Sequence, residues 1–487
     1  MKRKITAITA VVLAVSVFFG FLAKKNDAYE SLKPLMEVYA IIQDSYVDDE
    51  KTDPQDLVEE AINGMVKHLD PFSQYLDKQS YEDMTADTKA EFGGLGIEIS
   101  IKDGQLTVVA PIEDTPAYRA GIKAGDKIIA IEGESTEGID IMDAVHKLRG
   151  KPDTEVTITV QRGVEPKPRD ITITRAIIKI KTARYYILGD DTGYIKINEF
   201  MGRADKVVNE AVREFNEKKI NKLILDLRNN PGGLLDQSVR VSDFFLSKEK
   251  MIVYTQGREK SKRAEFKAEK DKIYKGDVVV LINNGSASAS EIVAGALQDN
   301  KRAIVLGSRT FGKGSVQTIV PLSDKSALRL TTAQYFTPGG DKIHGVGIKP
   351  DIELDEPIPS SFTAGLYDDG HIEKFAVKYL KEHPEGLTAE MKESVKVSES
   401  DLKVLFEKDM DEKLLEEFGK FLRRESIDVK AQEFAADREI ILRWIKSEIA
   451  KKHKGRDAER RASIENDTQV KRAINILNAF TRISEIQ

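Results

Sequence analysis

Three serines, Ser286, Ser288 and Ser290, stand where an apolar stretch gives way to a helical one. Residues 278–282 read as a buried strand, Asn283-Asn284-Gly285 as a turn, and residues 292–297 as the start of a helix. A serine at such a junction points its Oγ at the end of a sheet. Small neighbours let a substrate backbone approach, and the unpaired N–H groups of the helix start face a developing oxyanion. A hydroxyl nucleophile needs a base. The chain has no cysteine, which excludes thiol nucleophiles, thiolate zinc sites, iron–sulfur clusters and disulfides. It has six histidines, none at HExxH spacing, so a histidine-built metal site is not expected. No GxSxG segment is present, and His344 is the only histidine between residues 185 and 355. Lysine is left as the base, and it serves only when its pKa falls toward neutrality, because an ammonium cannot accept a proton. Lys313, held between Gly312 and Gly314 ahead of a strand, has that setting, and Gln317 follows four residues later. A second strand leaves into a glycine turn at Asp226–Gly233, whose N–H groups can complete an oxyanion hole. From these residues alone, any one of the three serines can be the nucleophile.

The elements that must position these groups follow from periodicity. Apolar strands at residues 194–197, 223–227, 278–282 and 304–306 alternate with helical stretches, which predicts an α/β unit over residues 185–355. Residues 90–176 read instead as short alternating strands. Ile97, Ile99 and Ile101 are spaced by polar residues, Asp103-Gly104 makes a hairpin turn, and residues 156–160 and 171–173 alternate likewise, with one helix near residues 139–148. Gly93-Gly94-Leu95-Gly96-Ile97 opens the first strand. Glycines there let consecutive N–H groups converge into an anion nest, and a strand edge beside a nest accepts an extended peptide with its terminal carboxylate. With Ala120–Asp126 (AGIKAGD), the later helix and two closing strands, this order resembles a PDZ domain, with Gly94, Leu95, Gly96 and Ile97 in the place of the carboxylate-binding loop.

The two ends are different in kind. Lys2-Arg3-Lys4 precedes an uncharged run over residues 5–23 that Lys24 and Lys25 close. That length spans a bilayer at roughly 20 residues. Residues 1–25 are therefore expected to be a signal peptide or membrane anchor, the anchor being favoured because Phe21 stands where a cleavage site wants a small residue. Residues 30–85 carry two apolar helical stripes, residues 32–42 and 57–69, before the turn Asp70-Pro71-Phe72-Ser73. Residues 356–487 read as charged helices, their alternating charge runs forming solvated faces, or surfaces for partner helices or a second copy. The chain as a whole is 487 residues with 32% charged, a net charge of -6 and a mean hydropathy of -0.37. This excludes a polytopic membrane protein and offers no basic excess for nucleic acid.

In order, the chain carries DPFSQYL (residues 70–76), the PDZ-like region, LDLRNNPGG (225–233), NGSASASE (284–291), TFGKGSVQ (310–317), TPGG (337–340) and GVGIKPD (345–351). It resembles the carboxy-terminal processing peptidases, or tail-specific proteases. The resemblance implies a multidomain α+β protein, with a crotonase-like α/β peptidase core at residues 185–355 and an inserted PDZ domain at 90–176. A helical N-terminal region (30–85) and a charged helical C-terminal region (356–487) flank them. It implies that the nucleophile is the middle serine, Ser288, that the base 25 positions on is Lys313, and that Gln317 completes the triad. Backbone N–H groups of Ala289 and of Gly232 or Gly233 would form the oxyanion hole. Arg149, at the end of the PDZ helix, resembles a position that couples PDZ domain and active site in some relatives. No metal or organic cofactor is implied. The partners implied are protein or peptide substrates with accessible C-termini, no nucleic acid, the membrane through the N-terminal segment, and a second copy or accessory protein through the helical ends. The location implied is extracytoplasmic or periplasmic, anchored to the inner membrane. Two rivals are a catalytically inactive PDZ scaffold or chaperone, and acyl-CoA chemistry on the same core fold.

Overall fold

The computed structural model describes residues 30–486 apart from 89, 103, 113–114, 124, 163–166, 180, 260–262 and 384–407. The expected signal peptide or anchor at residues 1–25 lies outside them. Among the described residues no helix is long and apolar enough to cross a membrane. The chain divides into two compact units: the described part of Met1–Tyr81 with Gln317–Thr331, and Glu82–Val316 with Thr332–Gln487.

The smaller unit holds a helix over residues 30–45, the helix Pro54–Lys67 and the strand Gln74–Leu76. Asp53 caps the second helix, its carboxylate accepting from the N–H groups of Gln55 and Asp56, with Pro54 at the first helical position. Gln74–Leu76 falls inside the stretch read from sequence as helical. It pairs antiparallel with Ala327–Arg329, so its partner lies some 250 residues away, beyond the reach of local periodicity.

In the larger unit, the strands Ile97–Lys102, Gln105–Pro111, Lys127–Ile131, Glu155–Gln161 and Arg169–Thr174 form one sheet in that order, with Glu134–Ser135 beside the third. Their inward residues, Leu106, Val108, Ile128, Ile131, Val156, Ile158 and Val160 among them, bury a core of their own with Ala144 and Leu148 of the helix Ile141–Leu148. Asp126 is fully buried there. Arg162 grips both its carboxylate oxygens at 2.7 Å, and the Lys123 N–H donates to it at 2.8 Å.

The second sheet runs Ala183–Leu188, Thr192–Ile197, Lys222–Asp226, Asp277–Ile282, Ile304–Gly307, Ile352–Glu353. The first pair is antiparallel and the rest are parallel. Strands added steadily in one direction, with right-handed crossovers, put every connecting helix on the same face. Ala204–Glu217, Leu235–Asp243 and Ala289–Asp299 do lie together, burying Val208, Val212, Phe215, Val241, Ile292 and Val293 against Ile195, Leu223, Leu225, Val278 and Val280. The opposite face, with Tyr194, Ile224, Val279, Leu281 and Leu306, would be bare without Thr468–Ile486, which lays Val470, Ala473 and Leu477 across it. The charged C-terminal region therefore includes a core helix. Its other helices, including Lys408–Arg424 and Arg438–Lys454, bury Phe418, Leu422, Ile441 and Ile445 in a separate cluster with Ile372 and Phe375. The solvated faces expected from the charge runs are only the outer halves of these helices.

Candidate active site

The strand Asp277–Ile282 gives way at Asn283, and the helix begins at Ala289, six residues further on. The turn between them is stitched to the neighbouring turn at Leu227–Gly233. Ser286 Oγ donates to the Leu227 carbonyl at 2.8 Å, Ser290 Oγ to the Asn230 carbonyl at 2.9 Å, and the Ala287 N–H to that same carbonyl at 3.0 Å. Both Ser286 and Ser290 are fully buried. Their hydroxyls are spent on the scaffold, and neither can meet a substrate. Ser288 between them is half-buried and sits at φ 52°, ψ -112°. A non-glycine residue in that region is strained, by about 1–3 kcal/mol, and such strain gathers where a side chain must be aimed.

Glu291, unassigned by sequence reasoning, holds this arrangement. Its carboxylate is fully buried. One oxygen accepts from Thr310 Oγ1 at 2.5 Å and the Gly312 N–H at 2.7 Å, and the other accepts from the N–H groups of Ser288 and Lys313, both at 2.8 Å. One carboxylate oxygen thus joins the main chains of the candidate nucleophile and the candidate base. Burial raises the Glu291 pKa, the Thr310, Gly312, Ser288 and Lys313 donors pull it back, and the net displacement is upward. The signal was present in the sequence, since Ser288-x-x-Glu291 has capping-box spacing.

Lys313 is half-buried in a loop that main-chain bonds pin on both sides, Phe311 N–H to the Ser286 carbonyl at 3.0 Å before it and Tyr335 N–H to the Gly314 carbonyl at 2.7 Å after it. The flanking glycines are required by space. A Cβ on Gly314 would meet the His344 nitrogen at 2.2 Å, and Gly312 has φ +89°.

The two glycines of the other turn separate in role. Gly232 lies against the nucleophile turn, where a Cβ would come within 2.7 Å of Ser288 Cβ and 3.0 Å of the Ala289 nitrogen. Its N–H, however, already donates to Asn230 Oδ1 at 2.9 Å. Among the described residues no main-chain acceptor takes the N–H of Gly233 or of Ala289. Of the three candidate oxyanion-hole donors, the Ala289 and Gly233 N–H groups are thus left without a main-chain acceptor among the described residues, whereas the Gly232 N–H is taken. Asn230, also missed from sequence, is fully buried and anchors the turn through Nδ2 to the Ile197 carbonyl at 2.9 Å.

Gln317 belongs to the smaller unit. There its Nε2 donates to Thr331 Oγ1 at 3.2 Å, and Thr331 Oγ1 in turn donates to Asp70 Oδ1 at 3.3 Å. Asp70 also takes the Phe72 and Ser73 N–H groups at 2.7 and 2.8 Å, so the DPFS turn and Gln317 share one network.

In the PDZ-like sheet, Ile97–Lys102 is an edge strand with the helix Ile141–Leu148 packed beside it. Leu95 is buried, its carbonyl accepting from the Ala117 N–H at 2.9 Å. Gly96 has φ +78°, and a Cβ there would meet Thr115 at 2.3 Å. Among the described residues no main-chain acceptor takes the Leu95 or Gly96 N–H, although Gly94, Leu95 and Gly96 are buried; the two groups lie at the start of a free strand edge. Arg149 stacks its guanidinium over the Phe92 ring, 4.6 Å from the centroid.

Among the described residues no cluster of three or more histidines or acids is placed to hold a metal. The description "Peptidase family S41" matches residues 191–354, "PDZ domain" residues 107–162, and "Activating protease CtpB N-terminal domain" residues 20–80. A carboxy-terminal-processing protease of Bartonella bacilliformis is 45% identical over 343 residues, 69% of this chain and 78% of its own length. A CtpA-like serine protease of Staphylococcus aureus is 39% identical over 381 residues, 75% of each chain. Among solved structures, the photosystem II D1 C-terminal processing protease is 29% identical, covering 66% of this chain and 92% of its own, with a TM-score of 0.41.

Proposed function

The chain belongs to peptidase family S41 and is a serine-type carboxy-terminal-processing endopeptidase with a PDZ domain, and from that premise we propose that it cuts by a Ser288–Lys313 dyad after capturing its substrate by the C-terminal tail. The observation that carries the reading is the sorting of the three serines: Ser286 and Ser290 are buried and bonded to carbonyls, whereas Ser288 is half-buried and strained.

Neutral Lys313 accepts the Ser288 hydroxyl proton as Oγ attacks the scissile carbonyl. The oxyanion that forms lies between the Ala289 and Gly233 N–H groups, at the positive end of the helix Ala289–Asp299. The tetrahedral species collapses as Lys313 returns the proton to the leaving amine. A water then attacks the acyl-enzyme, with Lys313 taking its proton, and Ser288 is regenerated. For Gln317 as the third catalytic residue the support is the family resemblance of the TFGKGSVQ segment. The Gly94–Ile97 nest holds the substrate's terminal carboxylate while the chain adds to the Ile97–Lys102 edge. The one-directional strand order, with every crossover helix on one face, supports a crotonase-like core.

Residues 1–25 support an extracytoplasmic enzyme held at the membrane by its N-terminus. Exposed Leu32, Met36, Val38, Ile41, Val58 and Met65 support pairing of the N-terminal helices with a second copy or an accessory protein.

The test is labelling of the full chain with a fluorophosphonate probe, followed by peptide mass analysis. The adduct is expected on Ser288 and is expected to be lost in Lys313→Ala. An adduct on Ser286 or Ser290, or undiminished labelling of Lys313→Ala, contradicts the reading.

A further inference from the structure

A second crevice, of about 330 Å³, opens at the carboxyl ends of Thr192–Ile197 and Lys222–Asp226. Strand alternation places it on the face away from Ser288. Tyr194, Lys196, Asp226 and Arg228 line the crevice, while Ile195, Ile197, Leu225 and Leu227 point into the core beneath the helix that Ser288 begins. The crevice outside the carboxyl ends of parallel strands is where open α/β sheets take ligands.

Its charges do not close on themselves. Five cations line it: Arg184, Lys196, Arg228, Arg443 and Arg460. Asp226 answers Lys196 at 3.2 Å and Arg228 at 2.6 Å, and Asp467 answers Arg228 at 3.0 Å and Arg443 at 3.2 Å. The third lining acid, Glu356, stands 3.8 Å from Arg228 and takes the Asn283 amide at 3.0 Å. Arg460 pairs at 2.9 Å with Asp457, whose side chain is 73% exposed. Arg184 is left over. Its Nε is buried and meets no acceptor among the described residues. Burial, and then the neighbouring Arg460, disfavours its charge; Tyr186 and the exposed Asp457 favour it, and the net displacement is downward. A buried donor without an acceptor costs about 1–3 kcal/mol, and a second like charge adds to that.

We propose that this crevice binds a small molecule through an oxyanion, a carboxylate or a phosphate group, held between Arg184 and Arg460. A guanidinium fork matches two oxygens of either group. Tyr186 and Tyr194, with ring centroids 6.4 Å apart, give the remainder of the ligand an aromatic wall. The volume is at the low end of small-molecule pockets, roughly 300–1,000 Å³. The site reaches the hydrolytic face through the chain itself. Arg228 lies two residues before Asn230, which holds the Gly232 N–H, the Ala287 N–H and Ser290 Oγ.

The full chain and its Ser288→Ala variant would be melted in rising inorganic phosphate, and separately in succinate, with ionic strength held constant by sodium chloride. A saturable rise in melting temperature is expected for at least one of the two, with a half-effect below about 1 mM. It is expected to be the same in both proteins, so loss of the hydrolytic reading would leave it standing. Which anion acts identifies the oxyanion. Arg184→Met and Arg460→Met should each weaken the effect at least tenfold. The Arg460 side chain is 37% exposed, so its variant is expected to fold even if the other does not. The proposal is overturned by a rise no larger than chloride gives, by an undiminished rise in Arg460→Met, or by an effect only at tens of millimolar, which would mean an adventitious ion only.

Discussion

Glu291 does for the proposed dyad what neither member can do alone: it fixes the strained turn of Ser288 and the loop of Lys313 to a single carboxylate. Each of its oxygens takes two donors, and only an ionised carboxylate has acceptor capacity for all four. Glu291→Ala leaves those donors buried and unpaired, at about 1–3 kcal/mol each before relaxation. Loss of at least 3 kcal/mol in urea unfolding is therefore expected, and kcat/KM should fall by about a hundredfold or more. Glu291→Gln keeps the shape but turns an amide N–H₂ toward two donors. It should remain folded and lose at least about tenfold in kcat. Wild-type turnover by Glu291→Gln would remove Glu291 from its positioning role. At this scale the sequence was informative about types and less so about assignments. Ser288, Lys313 and Gln317 stood in readable motifs. That Ser286 and Ser290 spend their hydroxyls on carbonyls, and that Gly232 has already given away its N–H, depends on two turns some 57 residues apart meeting in space.

The PDZ element carries two predictions. A terminal carboxylate in the Gly94–Ile97 nest would gain charge-assisted N–H bonds of about 1.5–3 kcal/mol each. A free-acid peptide should therefore be hydrolysed at least about tenfold faster than its amidated twin at subsaturating concentration, and Gly96→Val should erase the difference. Equal rates for the two peptides would mean that the nest does not read the tail. The second concerns Asp126. Burial opposes its ionisation, but Arg162 and the Lys123 N–H outweigh it and hold the pKa below the usual carboxylate value. A depressed pKa contributes stability that is present above the unfolded value of about 3.9 and is lost as pH falls through the folded one. Asp126→Asn should cost about 2–3 kcal/mol at pH 7, and the gap to wild type should narrow below about pH 4. A gap that stays constant with pH in urea titrations would refute the linkage. The alternating strands of this element were legible because their pairings are mostly between neighbours. Gln74–Leu76 was not, because its pairing is with Ala327–Arg329.

In the larger unit the sheet needs its C-terminus. Right-handed crossovers leave one face uncovered, and Val470, Ala473 and Leu477 cover it. The same segment clamps the turn at Leu227–Gly233, which carries the proposed oxyanion donor Gly233, since Arg228 meets Asp467 at 3.0 Å and Gln469 at 2.8 Å. Leu477→Asp puts a charge into a fully buried apolar site and should destabilise by at least about 4 kcal/mol, abolishing cooperative unfolding or solubility. A soluble, active Leu477→Asp protein would show that the helix is dispensable. This role was not legible in the sequence. The region's alternating charge runs suggested solvated faces, or surfaces for partner helices or a second copy, whereas the partner of this segment's narrow apolar stripe is a sheet face built from residues 188 to 306.

Whether Ser288 and Lys313 act as one unit is decided by peptide hydrolysis with Ser288→Ala, Lys313→Ala and the double variant. Both substitutions remove the same covalent route, so each single variant should retain only background hydrolysis, with cooperative unfolding intact, and the double variant should be no slower than either. Turnover near wild type in either single variant, or losses that multiply in the double, would contradict it.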